Sequence, residues 1–403
     1  MISIEDAIQF ALQAVKPLGS VKIPLTNSLN RILFDDLTSD IDMPPFNKSA
    51  MDGYAFHAAD VQSSPCQLKV VGVVQAGGIP NFTVKRGEAA KIMTGAPLPH
   101  GCDAVQMVEK TRSIEPSIVE ILEKVEPGKH VAFKGEVMQK DSVVLRRGAF
   151  VNPAVVGVLA SIGQEMVSVC RLPDVAVLAT GDELVDVGQQ PGPGQIRNSN
   201  GYAISAQLKM IGVTPKMMGC VTDDLASLRS ALMAGLEQDV LLISGGVSMG
   251  DYDFVEKVLA ELGVDIIYDS VNIKPGKPAV MGTTGSCAVF GLPGNPVSAS
   301  TVFDILVTPV FKKIMGYPRF ESSLISAKLR GDFINKNKRV SYHPAVVMIE
   351  AGEFVAQPLS SKGSADVLAY SQANSYLIGT PQSAFGDGDE IPVALGCGSS
   401  LFI

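Results

Sequence analysis

A chain of 403 residues is too long for a single hydrophobic core and predicts about two to four domains. Its 46% hydrophobic and 18% charged residues are those of a globular protein, and its 39 glycines and 25 prolines are scattered, so they mark turns and form no low-complexity tract. The net charge of −8 argues against a general nucleic-acid or anionic-membrane surface; an anionic ligand would need a local basic pocket. Cys66, Cys102, Cys170, Cys220, Cys287 and Cys397 are far apart, without zinc or disulfide-exchange spacing, and are expected to be reduced, mostly buried thiols. The start Met1-Ile-Ser-Ile-Glu-Asp6 lacks the basic and apolar regions of a signal peptide, and no apolar run reaches about 18 residues. The expectation is a cytoplasmic protein with no membrane or nucleic-acid partner.

In chain order, Ser3 and Asp6 suggest a capped helix whose face is Ile4, Ile8, Ala11, Leu12 and Val15, ending before Pro17. Residues 23–37 suggest a short strand and then a helical stretch. The prolines at 44 and 45 forbid regular structure where the segment 42–55 begins. From 54 to about 139 the pattern is short β-like runs between Gly, Pro and Asn, at 68–74, 89–93, 104–108 and 118–122, which predicts a separate all-β module. A strand-like run at 143–146 precedes a helix opening at Asn152-Pro153 with Val155, Val156, Leu159 and Ile162. That helix is expected to pack on the N-terminal one, closing a discontinuous domain around the insertion.

From Pro173 strands alternate with helices: strands at 175–179, 240–244, 266–268 and 288–290, helices at 201–211, 225–235, 254–262 and 296–315. This alternation predicts a parallel sheet with ligands at the carboxyl ends of its strands. After Pro318 short strands return, a small β-barrel. The predicted division is 1–43 with 141–171 as a discontinuous linking domain, 44–140 as the β insertion, 172–318 as the α/β domain and 319–403 as the barrel.

Polar and glycine-marked turns collect after the predicted α/β strands. They are Thr180-Gly-Asp-Glu183, Asn198-Ser-Asn200, Thr222-Asp-Asp224, Ser244 to Asp253, and Gly291-Leu-Pro-Gly-Asn-Pro-Val-Ser298. The Ser244-Gly245-Gly246 turn before a helix at 254 offers backbone N–H groups to an anion. Lys274-Pro-Gly-Lys277 holds two cations three residues apart, suited to an oxyanion. Taken singly, each has an ordinary explanation: a helix-capping Asp, a solvated Lys pair, a surface Glu. Their accumulation on one predicted edge fits a phosphorylated ligand, a divalent metal and a second anion. With only four histidines no Ser/His/Asp ordering stands out and there is no HExxH or zinc spacing, and without a Walker A lysine or GxGxxG an ordinary dehydrogenase or P-loop enzyme is disfavoured.

These motifs, with Ser49-Ala-Met-Asp-Gly-Tyr-Ala55 and Ile92-Met-Thr-Gly-Ala-Pro-Leu-Pro-His-Gly-Cys-Asp103, resemble those of the molybdopterin molybdenumtransferase (MoeA) family, to which the gephyrin E domain belongs, in the same order and essentially end to end. The resemblance implies an elongated multidomain α/β-plus-β homodimer: a MogA/MoaB-like parallel-sheet α/β domain, an inserted all-β domain, a discontinuous linking domain and a C-terminal β-barrel. It implies a transferase of molybdenum cofactor biosynthesis that takes adenylated molybdopterin, molybdate and Mg²⁺ and yields molybdenum cofactor and AMP. Its partners would be a molybdopterin adenylyltransferase and a molybdoenzyme or carrier.

By position, the resemblance assigns Asp52, Thr94, Glu183, Asp223 and Asp253 to catalysis, with Asp52 and Thr94 facing a second subunit's α/β domain and Glu183 and Asp253 as metal ligands. It assigns Asn198, Asn200, Ser244, Gly245, Gly246, Ser248, Pro293, Gly294 and Pro296 to substrate binding, and Lys274, Lys277, Ser298, Arg339 and Ser364 to molybdate. The chain departs from the family pattern around Ala132 to Val137, where an Arg and an Asp are missing, at Pro344 in place of an Arg, and at Ala369 in place of a Ser. The competing readings are a molybdopterin adenylyltransferase, a non-enzymatic dimeric scaffold and a tungstate-handling paralogue.

Overall fold

The computed structural model describes residues 1–247, 254–321 and 324–396. Helix α1 (Ile4–Ala14) starts as its sequence dictates: Asp6 N donates to Ser3 Oγ at 2.9 Å, satisfying one of the N–H groups that a helix start leaves unpaired. Its buried face, Ile4, Ala7 and Ala11, enters the α/β core beside Phe303 and Val310. Helix α2 (Pro153–Ser161), capped by Asn152, joins a different core with Leu33, Val151, Val167 and Val169. The expected packing of these two helices on each other is therefore corrected. The small Ala7 and Ala11 let α1 lie close against the helix Thr308–Ile314, a contact that a reading of large apolar residues overlooks.

The segments on either side of the β insertion meet through Ser20–Pro24, which pairs antiparallel with Met166–Cys170. The helical stretch expected in 23–37 is a single 3₁₀ turn, Leu25–Asn27, because Ile32 and Leu33 are drawn into bridges with Phe150 and Val169. The insertion is a six-stranded sheet in the order Ala104–Met107, Gly53–Phe56, Glu88–Ile92, Cys66–Val74, Ile118–Ile121, Thr111–Glu115. Gly53–Phe56 and Thr111–Glu115 were not among the predicted strands; the first follows directly on the Met51-Asp52 turn and the second carries mostly exposed residues.

The α/β sheet runs Lys216–Val221, Val175–Thr180, Val240–Ser244, Ala288–Leu292, Val280–Thr283, Asp265–Tyr268. The first four strands are parallel; Val280–Thr283 runs antiparallel to both of its neighbours, so Asp265–Tyr268 again runs with the first four and the sheet is mixed rather than parallel. The cause is the connection at 284–287: four residues make a hairpin but are too few for the crossover that a parallel pair needs. Helices α3 (Ser199–Met210), α4 (Leu225–Gly235), α5 (Val255–Glu261), α6 (Pro296–Val302) and α7 (Thr308–Ile314) cover both faces. Val175, Val177, Val240 and Leu242 pack on the α3 and α6 side, whereas Ala176, Leu178, Leu241 and Ile243 pack on the α4 and α5 side. This two-sided burial explains continuous apolar runs in place of alternation.

The helix expected over 296–315 is split by a π turn at Phe303–Val307. Pro309 has no N–H and its ring would crowd the preceding turn of a straight helix, and a widened turn relieves both. The C-terminal region forms the expected barrel: Val340–Glu350, Glu353–Pro358, Leu324–Leu329, Glu390–Leu395 and Ser375–Gly379 close through pairing of the first with the last. Ile273–Lys274 of the α/β domain adds to this sheet beside Val340 and Ser341. Among the described residues no helix is long and apolar enough to cross a membrane.

Candidate active site

The four parallel strands end at Thr180, Val221, Ser244 and Leu292, so the loops that follow them leave from one edge of the sheet. Two polar residues there are committed to helix starts. Gly201 N donates to Asn198 Oδ1 at 2.9 Å, and Ser227 N donates to Asp224 Oδ2 at 2.9 Å; this bond holds the Asp224 carboxyl below its usual range. The Gly245–Gly246 turn lies directly on Thr180. Gly245 and Gly246 have φ of +90° and +65°, and a Cβ on Gly246 would come within 2.6 Å of Thr180 Oγ1. Only glycine fits both the conformation and the space.

Under this edge is a cavity of about 350 Å³ lined by Thr180, Glu183, Asn198, Asn200, Ser244, Gly245, Gly294, Asn295 and Pro296, among others. Asn200 stitches its walls together: Nδ2 donates to Ser244 Oγ at 2.9 Å and to Gly294 O at 2.7 Å. Asn200 Oδ1 and Thr180 Oγ1 are buried without a hydrogen-bond partner among the described residues. A buried polar atom left unpaired is unfavourable by about 1–3 kcal/mol, and both atoms belong to residues that line the cavity. The Glu183 carboxylate folds back over Gly181, where a Cβ would lie 2.3 Å from Oε2.

A second cavity, about 560 Å³, opens between the α/β domain and the barrel. Lys274, Lys277, Ser298, Arg339 and Ser364 all line it, although they are spread over ninety residues of sequence and two domains. Among the described residues its lining contains the cationic side chains Lys274, Lys277 and Arg339 and no carboxylate. Arg339 Nη1 donates to Ile273 O at 2.8 Å, and Lys274 Nζ donates to Asn337 Oδ1 at 2.5 Å. Val297 N donates to Ser364 O at 3.0 Å, tying the start of α6 to the barrel loop. His343 also lines the cavity; burial lowers its pKa, and its Nε2 lies 2.8 Å from Leu359 O. Asn295 is common to both cavities, so they adjoin at the start of α6.

The remaining assigned residues lie elsewhere. Pro293 is buried, and Gly246 faces Thr180 from behind the turn; neither lines either cavity. Asp223 N donates to Asp182 Oδ1 at 3.0 Å, which places Asp223 beside the Glu183 loop but outside both linings. Asp52 and Thr94 are brought together within the β insertion, where Thr94 N and Oγ1 donate to Asp52 Oδ1 at 2.7 and 3.1 Å; they line neither cavity of the same chain. Ser248 and Asp253 lie outside the described residues. The residue-level prediction missed Thr180, Asn295 and Asn337. The first two sit inside motifs already singled out, and Asn337 belongs to the polar run Asn335-Lys-Asn-Lys-Arg339, whose composition marks a turn but gives no direction to its side chains.

Among the described residues no three His, Cys, Asp or Glu side chains converge as a metal cluster. Mg²⁺ does not require one, since it keeps several waters and is held by one or two carboxylates together with substrate phosphates. Glu183, a hard oxygen donor on the cavity wall with no ion pair among the described residues, fits that kind of binding.

Family models match almost the whole chain: the MoeA N-terminal region (domain I and II) at residues 2–163, a probable molybdopterin binding domain at 176–313, and the MoeA C-terminal region (domain IV) at 326–395. Molybdopterin molybdenumtransferase of Bacillus subtilis is 32% identical over 385 residues, covering 94% of this chain and 90% of the relative. That of Staphylococcus aureus is 32% identical over 378 residues, covering 93% and 90%. Among solved structures, the molybdopterin biosynthesis MoeA protein of Pyrococcus horikoshii superposes with a TM-score of 0.85 at 28% identity, covering 98% of this chain and 100% of that one.

Proposed function

Because the chain belongs to the molybdopterin molybdenumtransferase family, we propose that it inserts molybdenum into adenylated molybdopterin, consuming molybdate and releasing AMP and molybdenum cofactor. One observation carries the substrate assignment. Five residues from four separate stretches converge on a cationic cavity with no carboxylate among its described lining residues, and that cavity adjoins a polar one at the sheet edge. Lysine ammoniums, a guanidinium and two serine hydroxyls are donors for a tetrahedral oxyanion such as molybdate. The adjoining cavity, with the Gly245 turn, Ser244 and the unpaired Thr180 and Asn200 atoms, would take the pterin phosphate end of the substrate.

Mg²⁺, held by Glu183 together with substrate phosphate oxygens, would neutralise charge on the phosphoanhydride. The protein's own contribution is positioning and electrostatic stabilisation. The α3 and Gly245 walls fix the phosphate end, Lys274 and Lys277 bring the oxyanion beside the dithiolene sulfurs, and the barrel adds Arg339 and Ser364 from the other side. Asp52 and Thr94 would complete the site from a second copy of the chain, which makes a homodimer the working unit. A molybdopterin adenylyltransferase would supply the substrate and a molybdoenzyme or carrier would receive the product, in the cytoplasm. The barrel's contribution of Arg339 and Ser364 to the anion cavity favours this reaction over adenylyl transfer, which has no use for a second oxyanion.

The test is an assay with adenylated molybdopterin, molybdate and Mg²⁺, following AMP release and reconstitution of an apo-molybdoenzyme. Release of AMP with reconstitution is the expected result. Folded protein that gives neither, or that forms adenylated molybdopterin from molybdopterin and ATP, overturns the assignment.

A further inference from the structure

We propose that Asn337 is a positioning residue for the oxyanion, holding the Lys274 ammonium in the cavity without neutralising it. The inference rests on the oxyanion reading of that cavity and adds a residue from the barrel that acts through the lysine.

Asn335 is 1% exposed. Its Nδ2 lies 2.9 Å from each of the carbonyl oxygens of Arg339, Gly379 and Thr380, three acceptors shared by its two N–H groups, so its amide has only one possible orientation. The Oδ1 atom must then be the acceptor on the other side, and it receives Asn337 N at 3.0 Å and Asn337 Nδ2 at 2.9 Å. With its NH₂ fixed on Asn335, Asn337 can only present Oδ1 to the cavity, where Lys274 Nζ donates to it at 2.5 Å. A flexible four-carbon side chain is thereby held by a rigid, fully bonded amide relay reaching back into the barrel.

A carboxylate would hold Lys274 as firmly, but it would cancel the positive field of a cavity whose charged lining, among the described residues, is Lys274, Lys277 and Arg339. An amide takes one of the three ammonium N–H bonds and no charge, leaving two donors and the full cation for a dianion. The Lys274 turn is also fixed at its backbone, because its strand adds in parallel to Val340 and Ser341. Anchored at both ends, the ammonium is pre-set before the anion arrives.

The test is equilibrium binding of molybdate to the full-length chain by calorimetry, for the wild type, Asn337→Ala, Asn337→Asp, Lys274→Ala and the double variant Lys274→Ala with Asn337→Ala. Circular dichroism and thermal melting report on the fold of each. Asn337→Ala is expected to weaken binding about tenfold, the loss of one charge-assisted hydrogen bond. Asn337→Asp is expected to weaken it about a hundredfold, although it keeps an acceptor in place, because it adds an opposing charge. In the Lys274→Ala background, Asn337→Ala should change nothing further, since its effect runs through the lysine.

A merely structural role predicts instead that Asn337→Asp is the milder change and that the two alanine losses add. Either result overturns the proposal, as does wild-type affinity in Asn337→Ala. Should Asn337→Asp fail to fold, the Lys274→Ala cycle still decides. Wild-type protein that binds no molybdate overturns the functional reading itself, whereas normal wild-type binding that depends on Lys274 but not on Asn337 removes only this inference.

Discussion

Gly276, between the two cavity lysines, offers the sharpest stability prediction. Its φ is +110°, and a Cβ added there would lie 2.4 Å from Val302 Cγ2. Val302 is 2% exposed and β-branched, so it has no room and no alternative rotamer with which to withdraw. Gly276→Ala therefore carries two penalties: about 1–2 kcal/mol for an L-residue in left-handed backbone and about 1–3 kcal/mol for overpacking a filled core. Gly285→Ala provides the control, because Gly285 has φ of +89° with nothing within 4 Å and so carries only the first penalty. The two variants should differ by about 1–3 kcal/mol, or roughly 2–10 °C in the melting of the α/β unit. Urea and thermal unfolding measure that difference, and molybdate titration should show weakened binding only for Gly276→Ala, whose strain falls on the Lys274–Lys277 turn. Equal stability of the two variants would refute the packing argument.

Three further outcomes follow from the site geometry. Asp52→Asn keeps an oxygen able to accept from Thr94 N and Oγ1, so folding should be unchanged while AMP release slows at least tenfold; full turnover in the purified variant would remove Asp52 from the mechanism. Lys274→Ala with Lys277→Ala removes two of the three cavity cations and should raise the molybdate concentration for half-saturation by about a hundredfold or more, and an unchanged molybdate dependence would break the assignment. Burial lowers the pKa of His343 below the ordinary histidine value of 6.5, so as pH falls the unfolded chain takes up a proton before the folded one does. Stability should then be fully present above pH 6.5 and fall as pH drops through the lower folded value; His343→Gln should flatten that part of the melting-temperature profile, and an unaltered slope would show that other groups cause it.

Strand-forming runs, helix caps and motif order were legible because they are local. Ser3, Asn152 and Asp224 cap helices as their residue types suggest, and the helix Leu225–Gly235 has the expected bounds. Long-range pairing was not legible. Residues 23–37 have helical composition yet are pulled into extended contacts with 150 and 169, which no local window contains. Val280–Thr283 escaped notice because Gly282 and Thr283 dilute its apolar run, and missing it concealed the hairpin that makes the sheet mixed. At the site, charged residues were found from their motifs, whereas Asn337 was not. An asparagine in a polar turn is ordinary until the chain of amide hydrogen bonds behind it is known.

The barrel's place in the site follows from the same pairing. Ile273–Lys274 belongs in sequence to the α/β domain but hydrogen-bonds as a strand of the barrel sheet, and Arg339 reaches back to the carbonyl of Ile273. The lysine turn is therefore held from both sides: Gly276 seats it on α6, and Val340 with Ser341 seat it on the barrel. A cationic cavity at such a seam has a physical logic. Three like charges close together repel, and backbone pairing plus neutral amide acceptors hold them in place where carboxylates would discharge them. The work of keeping the cations apart from one another but open to an anion thus falls on the domain junction, and an anion that satisfies all three would in turn tighten the junction. Bound molybdate should accordingly slow amide hydrogen exchange at 273–274 and 340–341 more than in the distant β insertion; uniform or absent protection would show that the seam does not couple the two domains to the ligand.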